Sequence, residues 1–370
     1  MKNKKIITIL SIIIFIIPII SINAEPQNNT IEKYYLPSHF SWQDINGTDY
    51  TTPVKNQAPA PTCEAYALCA SLETIIQYQL EEIFNPDLSE THLYFYAGGT
   101  YEAKMVNLTD AANYLIEYGV PDEGCYPDPH RAYDYPFESL EGWGNRTVKI
   151  QSWGWVNHNI DSIKSALIEH GPLIIVIKIW KDFLRYHGGV YKHRWGKSEG
   201  GHVVTIVGYN DEEECWIVKN SWGPDWGENG YFRMAYDADM FYEYYGKGTG
   251  IMYLDGVYGN FKPDVPKIHI KKPENFKTYL FGRGFSTNFK LKKLHFQLAA
   301  PRIIGNLKVE VPAENTNKIE FYLDNELKHV DDNEPYEWDL DASVGLHTLK
   351  VLAYNKHNIS MDLIDVFILL

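Results

Sequence analysis

The sequence predicts an α+β domain followed by an all-β sandwich, and three observations carry that reading. Between residues 36 and about 257, stretches with helical periodicity alternate with continuous apolar runs. A break rich in proline and glycine, "GNFKPDVP", follows at 259–266. Beyond it, short alternating runs continue to the end with no helix signal. A chain of 370 residues is also too long for one ordinary core, so two domains are expected. The predicted division is residues 1–24, 25–35, 36–258, a linker at 259–266, and 267–370.

The first segment, "MKNKKIITILSIIIFIIPIISINAEPQ", places three lysines before an apolar run at residues 6–20 and then Ala24. That layout predicts a secretory signal peptide cut after Ala24 and therefore an extracellular protein. An uncleaved anchor is the alternative, because the run is near the lower limit for spanning a membrane. Residues 25–35 read as a short polar segment, too short for an inhibitory prodomain. A net charge of −14 argues against nucleic acid as a partner, since that needs a cationic face. Hydrophobic content of 45% with 22% charged residues is that of a globular chain.

In the first domain, Ala65, Cys69, Leu72, Ile75, Ile76 and Leu80 recur at three- and four-residue steps and predict a helix opening at Cys63. "DAANYLIEYG" predicts a second helix with Gly119 as its stop, and "NIDSIKSALIEHGP" a third. The apolar runs "LIIVIKI" (173–179), "HVVTIVGY" (202–209) and "CWIVKN" (215–220) predict buried strands, with a polar turn at 210–214 joining the last two. In the second domain "KIEFYL" puts Ile319, Phe321 and Leu323 on one face, and Asp324-Asn325 can turn the chain back. "PYEWDL", "HTLKVLAY" and "MDLIDVFILL" continue the series.

Four cysteines, Cys63, Cys69, Cys125 and Cys215, match no zinc spacing, and an exported chain could form two disulfides or none. Cys69 and Cys215 lie in apolar patterns and are expected to be buried. Cys63 is different. Thr62 is a candidate N-cap, which places the thiol in the first turn, where the helix dipole favours a thiolate. A thiolate nucleophile needs a base, and His202 begins a buried strand beside Gly200 and Gly201, where a substrate backbone could approach. Asn220 ends another strand and can orient the imidazole, with Trp222 and Trp226 shielding that bond. Gln57 can supply a side-chain amide beside the Cys63 backbone N–H for a developing oxyanion.

Gln57, Cys63, His202 and Asn220, in that order, resemble the papain-like cysteine peptidases. "TPVKNQ", "LSETHL", "IKSALIEHGPLIIVI", "DFLRYHGGVY", "GGHVVTIVGY" and "WIVKNSWGPDWGENGYF" are similar to that family's segments over residues 36–257. The resemblance implies a two-lobed fold, one lobe helical and one β-rich, with a cleft between them. It implies hydrolysis of polypeptide substrates through an acyl-enzyme, without metal or organic cofactor. It also suggests an apolar specificity pocket lined by Val176, Gly201 and Val203. The segment around the nucleophile departs from the family: Ala60-Pro61-Thr62-Cys63-Glu64 keeps only the cysteine. Glu64 is expected to point away from the sulfur, since adjacent helix residues face different directions. At about 6 Å its repulsion would be on the order of 0.7–3 kcal/mol, tolerable for a thiolate.

Residues 267–370 look like the Ig-like β-sandwich modules appended to secreted prokaryotic proteins, with contact to a cell surface or extracellular matrix as the implied role. Two rival functions stand beside peptide hydrolysis: a catalytically inert surface scaffold, and acyl transfer to amines through the same intermediate.

Overall fold

The computed structural model describes residues 36–369 except 59, 101–105, 129–138, 243–249 and 287–299. The expected signal peptide and the segment at 25–35 lie outside the described residues. No helix among the described residues is long and apolar enough to cross a membrane.

Among the described residues the first half has four α-helices: α1 (Cys63–Leu80), α2 (Glu90–Tyr96), α3 (Leu108–Glu117) and α4 (Ile160–His170). Helix α1 starts where the sequence places it and buries Leu68, Cys69, Leu72 and Ile76 completely. Each such side chain contributes ~1.5–3 kcal/mol on leaving water. Its end is a left-handed Glu81, whose N–H returns to Gln77 and Tyr78 carbonyls. Asn107 and Asn159 cap α3 and α4 by accepting from Thr109 N and Ser162 N. Thr62 sits at the N-cap of α1 but makes no cap bond, and its hydroxyl is sealed without a partner. Helix α2, which begins within the "LSETHL" segment, has a capping Ser89 that accepts from His92 N.

The helices pack on an eight-stranded sheet. Its path runs Ser152–Trp155, Ile251–Asp255, Leu173–Trp180, Ser198–Asn210, Cys215–Lys219, Tyr231–Ala235 and Val190–Tyr191, with His39–Ser41 pairing beside Ser198–Asn210. The strands predicted at 173–179 and 215–220 are found almost to the residue; the one predicted at 202–209 extends at its start to Ser198. The 210–214 segment is the expected turn, pairing Asn210 with Cys215. Gly208 lies at an irregularity in that pairing, where a Cβ would stand 2.7 Å from the Phe40 carbonyl. One core contains α1, α3 and residues of the sheet, Val176 and Val203 among them. A second fills the other face of the sheet.

The second half is all β among the described residues. A seven-stranded sheet runs Arg283–Ser286, Lys277–Leu280, Arg302–Ile304, Ile359–Ile368, Gly345–Tyr354, Lys318–Leu323 and Glu326–Asp331. The pair Leu307–Glu310 and Glu337–Leu340 shares its core with it, through Val309 and Trp338 against Ile319, Phe321 and Val351. Ile319, Phe321 and Leu323 are buried as the alternation requires, and Asp324 and Asn325 both turn with positive φ. This half is tied to the first by Arg146. Its guanidinium is salt-bridged to Asp122 and donates to the Ile359 carbonyl at 2.6 Å, and Ser360 is buried beside it.

All four cysteines are free and buried.

Candidate active site

His202 is where the strand Ser198–Asn210 passes from exposed to buried; the four residues before it are exposed and the seven after it are buried. Its Nε2 lies 2.9 Å from Asn220 Oδ1. Since that oxygen can only accept, Nε2 carries the proton and Nδ1 is the ring's open position. Trp222 stacks on the imidazole at 4.8 Å and Trp226 meets Trp222 edge-on at 5.0 Å. Burial lowers the His202 pKa to about 4, with Asn220 opposing it.

Gln57 is buried on the loop before α1. Its Oε1 accepts from Ser221 Oγ at 2.6 Å and its Nε2 donates to the Ala60 carbonyl at 2.9 Å. An amide nitrogen has two hydrogens, so one remains for an oxyanion. Ser221, which nothing in the sequence reading singled out, thus fixes the orientation of this amide. The "NSW" run was the signal available for it.

A buried network beneath the site was also missed. Lys219 donates to the Thr52 carbonyl at 2.6 Å, Thr52 Oγ1 donates to Glu73 Oε2 at 2.6 Å, and Lys55 binds Glu73 at 2.9 Å and Glu90 at 2.7 Å. It joins the strand end that carries Asn220 to the middle of α1. Its members come from distant segments, each of which alone reads as an ordinary surface charge.

Cys63 is 5% exposed at the start of α1. Its side-chain partner is not the imidazole. Among the described residues, the thiol donates to Glu64 Oε2 at 3.5 Å and no hydrogen bond joins it to His202. The expectation that Glu64 would point away is therefore corrected. In the first turn of a helix no preceding turn blocks a long side chain, and Glu64 folds back onto its neighbour. The carboxyl is 1% exposed, its Oε1 has no partner, and burial raises its pKa to about 7. Burial and this carboxylate push the Cys63 thiol well above its ordinary range.

Val176 and Val203 pair across adjacent strands and are buried, while Gly200 has open space where a Cβ would stand and a Cβ on Gly201 would only touch the Ile177 carbonyl at 3.9 Å. No group of three or more His, Cys, Asp or Glu among the described residues is placed to hold a metal. A cavity of about 360 Å³ opens between Asn56 and Ala58, which flank Gln57, and Ile270, Phe276 and Leu363 of the C-terminal half.

A model of the papain family of cysteine proteases matches residues 36–248, more than half of the sequence. The chain belongs to that family. Over 84 residues it is 48% identical to Cathepsin B-like CP3 of Giardia intestinalis, covering 21% of this chain and 28% of that protein. Over 235 residues it is 30% identical to Viral cathepsin of a Cydia pomonella granulosis virus, covering 60% of this chain and 62% of that one. The chain thus spans less than two thirds of either relative. Among solved structures, xylellain, a cysteine protease from Xylella fastidiosa, superposes with a TM-score of 0.51 at 21% identity, over 60% of this chain and 88% of that one. That likeness supports the papain-like fold of the first half.

Proposed function

We propose that the chain is an exported cysteine peptidase that hydrolyses peptide bonds with Cys63 as nucleophile. The observation that carries this is the His202–Asn220 bond of 2.9 Å under Trp222, on a strand packed against the helix that begins with Cys63. The reading requires a turn of the Cys63 side chain toward His202 Nδ1. The sulfur then gives its proton to the imidazole and attacks the scissile carbonyl, forming a C–S bond. The oxyanion is met by the Cys63 N–H and the free Gln57 amide hydrogen. The imidazolium returns its proton to the leaving amine as the C–N bond breaks. Water, deprotonated by His202, then hydrolyses the thioester. Asn220 keeps the ring in the tautomer that these steps use, and Val176, Gly201 and Val203 line an apolar substrate pocket. Residues 267–370 act as an Ig-like module that contacts a cell surface or matrix, and residues 1–24 serve as the export signal.

A second reading has its own observation. The thiol is held by Glu64 and both site partners are neutral, which suits an inert scaffold. Acyl transfer to amines would use the same thioester. Digestion of a peptide library by wild type and Cys63→Ala separates these. Cleavage lost on substitution supports the peptidase, with an added amine in the products marking transfer. Cleavage that survives Cys63→Ala rejects the site, and no cleavage by wild type supports the scaffold.

A further inference from the structure

We propose that Glu64 is a positioning residue for the nucleophile: its carboxylate holds Cys63 as a thiol away from His202, and its neutral carboxyl releases the sulfur. This deepens the peptidase reading and rests on Cys63 being its nucleophile.

The geometry of the pair carries the proposal. Glu64 Oε2 accepts the S–H at 3.5 Å, and Oε1 is sealed without a partner in a side chain 1% exposed. A carboxyl buried for packing alone would be better replaced by an apolar group, because a buried charge with one oxygen unpartnered is costly. The two protonation states act oppositely on the sulfur. An ionised carboxylate can only accept, so it competes with His202 for the thiol proton and repels a thiolate. A protonated carboxyl carries no charge to repel a thiolate and is a poorer acceptor for the S–H, so the sulfur can turn to His202.

The surroundings let Glu64 change state in a useful range. On its own helix the titratable group that acts on it is Cys63. On the facing strand Ser198–Asn210 the titratable group is His202, whose Nε2 is committed to Asn220. Among the described residues no lysine or arginine acts on the Glu64 carboxyl, and burial alone raises its pKa to about 7. The active form holds two protons over the three groups, one on Glu64 and one on the imidazolium, with the sulfur ionised. Loss of one proton leaves the carboxylate, a thiol and a neutral imidazole. Reactivity is therefore present with Glu64 protonated and falls as pH rises through its pKa.

The test is the pH dependence of Cys63 alkylation by iodoacetamide, followed by mass spectrometry of the Cys63 peptide in the full chain, for wild type and Glu64→Gln. The amide keeps the size of the neutral carboxyl and cannot ionise. At about pH 8.5 the variant should react at least ~10-fold faster than wild type, and at about pH 5.5 within about threefold of it. Superposable profiles, or a variant slower by one factor at every pH, would overturn the proposal. Should the variant not fold, the wild-type profile alone decides: a fall in rate between about pH 6 and 8 supports it, and a monotonic rise refutes it. Peptide cleavage is scored separately. An alkylation rate that responds to Glu64 without any cleavage rejects the peptidase reading and leaves the coupling standing; cleavage with a flat response does the reverse.

Discussion

His202 and Cys63 lie on elements packed together and are buried to the same degree, 4% and 5% exposed, yet their surroundings differ. The imidazole has a 2.9 Å bond to Asn220, a stacked Trp222 and a second indole behind it. The thiol has a long contact with a carboxyl. The ring is held by strands whose pairing is fixed over many residues. The thiol sits at a helix start, where one side chain can be exchanged without disturbing a ladder. In this site the strands hold the ring firmly, and the helix start leaves the thiol's partner free to change.

Substitutions can test whether the halves differ in this way. His202→Ala should have the largest effect, a loss of ~10²–10⁴-fold in kcat/KM at every pH, because it removes the group that moves the proton. A loss confined to one side of neutrality would show that the ring is not the base. Asn220→Ala should cost less, on the order of 10–100-fold, with fold stability nearly unchanged; an effect on KM alone would place Asn220 outside the proton path.

The thiol half should respond to pH in its stability. Folded Glu64 has a pKa of about 7 against an ordinary 4.5, so between those values the folded chain holds a proton that the unfolded chain has lost. Stability then falls as pH rises across that window and stays lower above it. Glu64→Gln should therefore be more stable than wild type at about pH 8, by up to roughly 3 kcal/mol, and no more stable at about pH 4. Urea unfolding at the two pH values measures this, and an equal difference at both would remove the titration. The smallest change is expected from Thr62→Val. Replacing a buried hydroxyl that has no partner should alter stability by less than ~1 kcal/mol, in the stabilising direction. A loss above that would show that the hydroxyl has a role in starting α1.

What the sequence disclosed follows the same division. His202 and the valine pair Val176–Val203 were legible because each sits in an apolar strand run. Asn220 and Trp222 lie just past the end of the strand Cys215–Lys219 and were legible from the motif around them. The start of α1 at Cys63 and the turn at 210–214 were legible for the same local reasons. The fold-back of Glu64 was not, because the rule that adjacent helix residues diverge fails in a first turn with nothing before it. Nor was the network of Thr52, Lys55, Glu73, Glu90 and Lys219, whose members lie in four separate segments and whose charges read as solvated until the fold collects them.

The central claim is that Cys63 and His202 act as one reactive unit. Labelling with an epoxide thiol reagent, read by intact mass and peptide mapping, tests it most directly. The account predicts one label per chain, at Cys63, with a rate that drops sharply in His202→Ala while Cys69, Cys125 and Cys215 stay unmodified. Label distributed over the other cysteines, or a Cys63 rate indifferent to His202, would contradict it.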